Sequence, residues 1–553
     1  MPCVKDEPAL LSINMPPQMP TTSHGPSPVG KFLKRTFIEL CRLCFLLLTG
    51  VATAWLLYQS FPKNSHALLA WLALAPFVWG VSKTRHFWGA VFYGWLTFFA
   101  FHAGALYWVY YTCLHGGGMS PALSMAAWLG LAGILSLQFA FWGGCCHFLV
   151  KLRGFFPLVA AISWVALEWL HQMLAYYGLG FPWLMLGYTQ WNVPELIQLA
   201  SYVGVYGVGF MIVWVGACIG WAFAEPGVKK GIGQILLAAL LFLGVYMFGK
   251  YTLPQTGQDE PPQTLLSLKA TLMQPNIDQY KKWTEEYEEE IMQTLHTMAG
   301  DSSKENVRLV IWPESVLPGV LMREPYQSEV KQWAQEAQAY QLVGSTVVQG
   351  EDQYVGAYLV PPGETAALQS YKKVKLVPFG EYIPFEKWIR KWFSQVQVLN
   401  ELGTFKEGEE NQPLLDMDGV KIGSTVCYES IFPQLWRTQN QQGAQLFVNI
   451  TNDAWFFDTA APYQHLAANV LRAVETGRPV LRAANTGFSA YIDPFGRIVH
   501  QTNLFKRTMQ VESVPLALKA EPNVYTQWGD LFAWICAVLF FTVLISTIVF
   551  IYE

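Results

Sequence analysis

Hydrophobic positions follow two regimes along this chain. From about residue 36 to 250 they run in long blocks, whereas from about 254 to 527 they alternate with polar positions at the short periods of strands and helices. Crossing the hydrocarbon of a bilayer takes ~20 apolar residues. Blocks near that length lie at 36–59, 66–82, 87–112, 120–149, 156–173, 203–224 and 231–250, and an eighth follows at 531–552. The segment 174–200, with Gly180–Trp183 reading GFPW, predicts a loop at membrane depth rather than a span. Residues 1–30 are rich in Pro, Ser and Met and predict a flexible tail. The first apolar block starts too late and is too long for a simple cleaved signal peptide.

In the second regime, apolar, β-branched runs predict strands at Leu268–Met273, Val307–Trp312, Gln341–Val348, Lys421–Tyr428, Gln445–Ile450, Val480–Ala484, Ser489–Ile492 and Met509–Val514. Glu285–Met298 and Tyr326–Ala339, charged on one face, predict helices between them. The expected organisation is a tail at 1–30, a membrane domain of seven spans at 31–253, a globular domain at 254–527 and a last span at 528–553.

Composition supports that division. Only 14% of the 553 residues are charged and 52% are hydrophobic, against about 25% charged in soluble domains. The net charge of −4 offers no basic surface for nucleic acid. Lysine and arginine mark alternate connections: Lys31, Lys34 and Arg35 before the first span, Lys83 and Arg85 after the second, Lys151 and Arg153 after the fourth, Lys229 and Lys230 after the sixth. The opposite connections hold only Lys63 before the seventh span ends near Lys250. Since positive charge stays inside, both termini are expected in the cytoplasm and the globular part outside, which in a bacterium with two membranes is the periplasm. Of nine cysteines, eight lie in the N-terminal region or the apolar blocks, where they read as small packing residues. Only Cys427 falls in the globular part, so it is either an inert core residue or a catalytic thiol. No internal repeat, phosphate-binding glycine loop or metal-ligand spacing is present, so no metal and no cofactor is expected.

Three short segments could carry chemistry. In LVIWPES, Glu314 follows an apolar strand, at the rim of a sheet where α/β enzymes gather ligands; the bland alternative is a solvated acid at a turn set by Pro313. In YKKVKLVPFGEYIP, alternation puts Lys373 and Lys375 on one face and Lys372 and Val374 on the other, before a turn ending in Glu381. The alternative there is a basic edge strand that discourages aggregation. In GSTVCYESIFP, Cys427 ends an apolar strand and Tyr428, Glu429 and Ser430 follow. A nucleophile at a strand-to-helix turn can have its pKa lowered by the helix N-terminus, and the turn's N–H groups can hold an oxyanion. A buried, inert cysteine remains the alternative.

Taken together, Glu314, Lys373 and Cys427, in the motifs WPES, KLVPFGE and CYES, resemble the Glu-Lys-Cys triad of the nitrilase superfamily, whose fold is an α-β-β-α sandwich. Eight spans with such a domain between the last two resemble the apolipoprotein N-acyltransferase family over nearly the full chain. Supporting segments are Tyr107–Tyr111, Gly180–Gln190, Gln274–Trp283, Asn452–Phe456, Gln464–Leu466 and Gly477–Gly487. The resemblance implies an enzyme of the bacterial inner membrane that moves an acyl chain from a phospholipid donor, through a Cys427 thioester, to the N-terminal amine of a diacylglyceryl-apolipoprotein acceptor. It implies Glu314 as base and acid and Lys373 as holder of the oxyanion with the Tyr428 backbone N–H. Glu381 and Glu429 would be supporting acids, and Trp283 and Trp455 substrate-contacting aromatics. Gly180–Tyr188 and the 450s segment are candidate walls or lids, and nothing demands more than a monomer. Two departures stand out: Phe457 where the family usually has Gly after NDAWF, and His171-Gln172 where members often show Arg-Gly after EWL. The triad by itself also permits a membrane-tethered carbon–nitrogen hydrolase acting on small amides. A lipid-binding sensor or transporter is the remaining reading, although it has no need for these three motifs.

Overall fold

The computed structural model describes residues 28–225, 227–254, 265–363, 367–386, 391, 405–517 and 521–552. The tail expected over 1–30 lies outside them except for its last three residues. Those already belong to the first helix, Pro28–Ser60, because proline is well suited to a first helical turn.

Among the described residues, five helices are long and apolar enough to cross a membrane: Phe32–Ser60, Pro121–Tyr176, Ala200–Ala224, Val228–Thr252 and Leu531–Phe550. A sixth forms if Phe87–Ala105 and Trp108–Gly116, bent by 52°, count as one. The 56-residue stretch Pro121–Tyr176 is interrupted by Val150–Phe155, where Arg153 sits at φ 52°. Ala67–Val81 is a shorter apolar pair of helices. Backbones approach closely where side chains vanish: a Cβ on Gly94 would stand 2.4 Å from the Phe139 carbonyl oxygen, and one on Gly143 2.6 Å from that of Ala90.

The chain after Tyr176 folds back into the bundle as a loop with buried side chains at Trp183, Met185, Leu186 and Tyr188. Several polar groups of the loop pair within the protein, as a dry setting favours. Glu168 accepts the Leu186 N–H at 2.8 Å, and Gln190 donates to the Ala67 carbonyl at 3.0 Å while accepting the Trp71 indole N–H at 3.0 Å. The intramembrane carboxylate therefore serves this loop.

Among the described residues, twelve strands build the globular part: β1 Leu265–Gln274, β2 Leu309–Ile311, β3 Tyr340–Gln349, β4 Asp352–Val360, β5 Gln369–Lys372, β6 Leu415–Met417, β7 Val420–Val426, β8 Leu446–Thr451, β9 Val480–Ala484, β10 Ala490–Ile492, β11 Ile498–Gln501 and β12 Thr508–Ala517. They make two six-stranded sheets, ordered β12-β1-β2-β3-β4-β5 and β11-β10-β9-β8-β7-β6. Strand alternation divides the first sheet's side chains between two cores. Leu268, Ala270, Leu272, Leu309 and Ile311 join the core shared with Ile422, Leu446 and Val448 of the second sheet. Met273, Val310, Trp312 and Val343 face the helices Glu288–Ser303 and Tyr326–Ala337 through Ile291, Leu295, Val330 and Trp333. The helices Pro433–Gln441 and Ala461–Thr476 cover the other sheet, completing an α-β-β-α sandwich.

Sequence periodicity missed β4, β6 and β11, and the strand alternation read around Tyr371–Lys375 is found as β5, which ends earlier, at Lys372. The expected strand Lys421–Tyr428 stops two residues early, at Val426, because Cys427 turns to φ 51°.

Candidate active site

The parallel strands β1, β2 and β3 of one sheet and β7, β8 and β9 of the other place their carboxyl ends together. Glu314 follows β2 and Cys427 follows β7, while Lys373 follows β5 at the edge of the first sheet. The structure brings the three together and nearly out of solvent: Lys373 is 0% exposed, Glu314 8% and Cys427 9%.

Lys373 Nζ lies 2.6 Å from Glu381 Oε1 and 3.5 Å from Glu314 Oε1. Glu381 Oε2 accepts the Val377 N–H at 2.8 Å, which fixes the turn that aims it. Glu314 Oε2 accepts the Asn452 N–H at 3.0 Å. The Cys427 thiol feels the charges of both Glu314 and Lys373 and reaches the Thr451 hydroxyl. The solvated turn acid and the basic edge strand are thereby excluded for Glu314 and Lys373. Lys375 was expected to share the face of Lys373, but β5 ends at Lys372 and the alternation ends with it. Lys375 Nζ instead sits 3.9 Å over the Tyr176 ring of a membrane helix.

Electrostatics follow from this burial. Desolvation raises Glu314 above the ordinary carboxylate range against the pull of Lys373. Burial and the Glu314 charge push the Cys427 thiol up. Lys373 is held above its ordinary value by Glu381 and Glu314, which together outweigh its desolvation. A resting thiolate favoured by a helix N-terminus is therefore corrected. The residues after Cys427 form a five-residue 3-10 turn, Cys427–Ile431, and the α-helix starts only at Pro433. Its dipole is too far along the chain to hold the sulfur ionised, so the resting group is a thiol.

Glu429 does not touch Lys373. Its carboxylate accepts the N–H groups of Val374 at 2.6 Å, Lys375 at 3.1 Å and Val426 at 2.7 Å, and the Tyr371 hydroxyl at 3.0 Å. It ties the strand carrying Lys373 to the strand carrying Cys427. Burial raises Glu429 to about 7 despite those donors. The Tyr428 ring stacks on Phe181 and Trp183 of the membrane loop, with centroids 5.9 and 6.4 Å away. Trp283 and Trp455 are 58% and 38% exposed, and the Trp455 carbonyl accepts the Thr112 hydroxyl at 3.1 Å.

Two family models match this chain: the apolipoprotein N-acyltransferase N-terminal domain over residues 53–218, and carbon-nitrogen hydrolase over residues 269–521. An apolipoprotein N-acyltransferase of Geobacter metallireducens is 34% identical, covering 88% of this chain and 92% of its own length. Those of Allorhizobium ampelinum and Agrobacterium fabrum are 30% and 33% identical, covering 80% and 73% of this chain and 83% and 76% of their own lengths. The chain belongs to the apolipoprotein N-acyltransferase family. It is thus a membrane-associated acyltransferase of lipoprotein processing, built with a nitrilase-like domain. A solved carbon–nitrogen hydrolase superfamily protein of Xanthomonas campestris covers 45% of this chain and 91% of its own length at 16% identity and a TM-score of 0.35, a likeness too distant to carry argument.

Both departures from the apolipoprotein N-acyltransferase pattern have structural readings. Phe457 sits at φ 52°, a conformation that suits glycine, so this chain accepts backbone strain where the family usually has none. Its ring meets that of His115 at 5.4 Å. His171 Nε2 accepts the Phe181 N–H at 3.2 Å, and Gln172 donates to the Ile431 carbonyl at 3.1 Å, so uncharged hydrogen bonds fill that position. Several site-bordering residues had no assigned role in the sequence reading: Asn452, Thr451, His465, whose Nε2 donates to the Cys427 carbonyl at 2.9 Å, and Asp453, 2.9 Å from His465 Nδ1. The signal was the polar pair Asn452-Asp453 directly after an apolar strand.

Proposed function

We propose that Cys427 carries the acyl chain between a membrane phospholipid and the α-amine of a diacylglyceryl-cysteine at a lipoprotein N-terminus. The observation that supports this most is the meeting of Glu314, Lys373 and Cys427 beside a ring stack contributed by the membrane loop. In the first half-reaction the sulfur attacks the glycerol-ester carbonyl and Glu314 takes the thiol proton, a transfer that contributes typically ~10²–10⁴-fold. Burial raises the proton affinity of Glu314, which makes it a better acceptor for the thiol proton than an ordinary carboxylate. Lys373, with the Tyr428 N–H, holds the developing oxyanion. The C–O bond then breaks, and Glu314 returns the proton to the lysophospholipid alkoxide. In the second half-reaction the amine nitrogen attacks the thioester, the C–S bond breaks, and the amine proton passes through Glu314 to the departing thiolate. Two half-reactions through one intermediate imply ping-pong kinetics. Glu381 orients Lys373, Glu429 fixes the two strands, and Trp283 and Trp455 contact substrate.

The same reading sets the protein in the inner membrane with eight spans. The 56-residue Pro121–Tyr176 stretch exceeds one crossing and divides at Arg153, and the helices of Ala67–Val81 and the bent Phe87–Gly116 supply two more. Lys63, at the far end of the first helix, bonds Asp458 of the globular domain at 3.0 Å, whereas Arg85 pairs with Glu39 near that helix's start. The basic connection at Arg85 therefore lies at the opposite end of the first helix from the catalytic domain, which supports a periplasmic domain at about 254–527 and cytoplasmic termini; the working unit is taken as a monomer. The test is turnover with phosphatidylethanolamine micelles and a diacylglyceryl-peptide. The account expects N-acylation of the peptide and no hydrolysis of small amides; amide hydrolysis without acyl transfer would refute it.

A further inference from the structure

Lys282 is a buried ammonium that the mechanism above does not use. It lies in the loop that leaves the carboxyl end of β1, the strand beside the one that delivers Glu314. Its side chain is 1% exposed. A buried lysine is ordinarily paired with a carboxylate or held by several acceptors, because taking an ammonium out of water without partners is costly. Among the described residues, the hydrogen bond from Nζ runs to the backbone carbonyl of Glu314, at a long 3.5 Å. Trp283 offers its ring face 5.5 Å away. The one carboxylate that stabilises its charge is Glu314.

The loop itself is held firmly. Ile277 donates to the Asn485 side chain at 2.9 Å, Asn485 donates to the Ile277 carbonyl at 2.8 Å, and Gln279 bonds Asn452, whose own N–H meets Glu314. Lys282 is therefore placed by structure rather than by chance, with its ammonium against the backbone carbonyl of the residue expected to move protons.

We infer that Lys282 is a positioning residue for Glu314: a second ammonium, additional to Lys373, that keeps the carboxylate ionised and ready to accept a proton in the dry site. This rests on the triad reading proposed above. The charged groups that face Glu314 are Lys373 from beyond β5, Glu381 from the turn after it, Lys282 from the β1 loop and the Cys427 thiol from β7. Glu381 is engaged with Lys373 at 2.6 Å and so offsets part of that lysine's charge. Burial lowers Lys282 to about 8, so it remains mostly protonated at neutral pH.

The inference can be tested on the full-length protein in detergent without any lipid substrate. Iodoacetamide alkylation of Cys427, followed across pH by mass spectrometry of its peptide, reports the proton affinity of the thiol and the carboxylate that shares its proton. Lys282→Met should move the midpoint of that profile upward by about one pH unit, the size expected when an opposite charge at close range is lost. Lys282→Arg should return it to the wild-type position. A Lys282→Met profile that coincides with wild type, or an equal shift in Lys282→Arg, would overturn the inference. Equal midpoints alongside a lowered melting temperature would do the same, since they would leave Lys282 only a structural role. A failure of wild-type Cys427 to become acylated by phospholipid would instead strike the proposed function, and the alkylation profiles would still decide the role of Lys282.

Discussion

The two halves of the sandwich are built alike and used differently. The first sheet carries Glu314 and Lys373, and its helices Glu288–Ser303 and Tyr326–Ala337 keep one face in solvent, with Glu289, Gln332 and Glu336 exposed. The second sheet carries Cys427, and its helix Ala461–Thr476 is buried at every position but Tyr463. That helix lies between a sheet and the membrane bundle, and it contains Gln464, His465, Asn469, Arg472 and Glu475. Each polar group there must find a partner or carry the full cost of desolvation. Gln464 accepts the indole N–H of Trp108 at 3.1 Å and that of Trp183 at 2.8 Å, and donates to the Ala105 carbonyl at 3.0 Å. Arg472 pairs with Glu475 at 2.6 Å, and Glu475 accepts the Val205 N–H of a membrane helix at 2.7 Å. One helix layer is a conventional cover, while the other is a polar joint that seats the nucleophile's half on the bundle. In the proposed mechanism, acid–base chemistry falls to the half whose outer helices meet water, and the nucleophile to the half seated on the apolar bundle.

That contrast can be broken from its strongest point downward. Cys427→Ser should reduce acyl transfer by at least ~10³-fold, measured as single-turnover release of lysophospholipid, because an alcohol cannot replace the thioester chemistry of the reacting group. Arg472→Met strands Glu475 in the joint and should cost about 3–5 kcal/mol, seen as a lowered thermal midpoint in detergent. Gln332→Ala on the outer cover should stay within about 0.5 kcal/mol in the same assay, and equal losses at both positions would erase the distinction between the layers. Lys373→Met should slow acyl-enzyme formation by ~10²–10³-fold, and, because it leaves Glu381 and Glu314 without their buried cation, it should also lower the melting midpoint. The smallest effect is on pH dependence. Since burial raises Glu314, its base form is lost as pH falls through a value above the usual carboxylate ~4.3, so the acid limb of the acylation rate should have its midpoint above that figure.

The halves also differ in how far they could be read from the chain. Glu314, Lys373 and Cys427 were legible together, through the resemblance of WPES, KLVPFGE and CYES to the nitrilase triad, whereas strand and turn pattern alone left a bland alternative open at each. The amphipathic outer helices announced themselves through period. Ala461–Thr476 did not, because its buried glutamine, arginine and glutamate mimic a solvated face, and their partners lie far away in sequence; Gln464 and Trp108 are 356 positions apart. Lys282 was hidden for a similar reason: two adjacent lysines look like surface, and only the fold shows one of them turned inward. The state of the thiol was misread because a turn after a strand does not by itself reveal whether a true helix begins there.

The central claim is that the sulfur of Cys427 holds an acyl group during turnover. Wild-type protein incubated with phosphatidylethanolamine and no acceptor should show a fatty-acyl mass on the Cys427 peptide, released by hydroxylamine and absent from Cys427→Ser. Acyl transfer to the peptide acceptor proceeding while that adduct never forms would contradict the account.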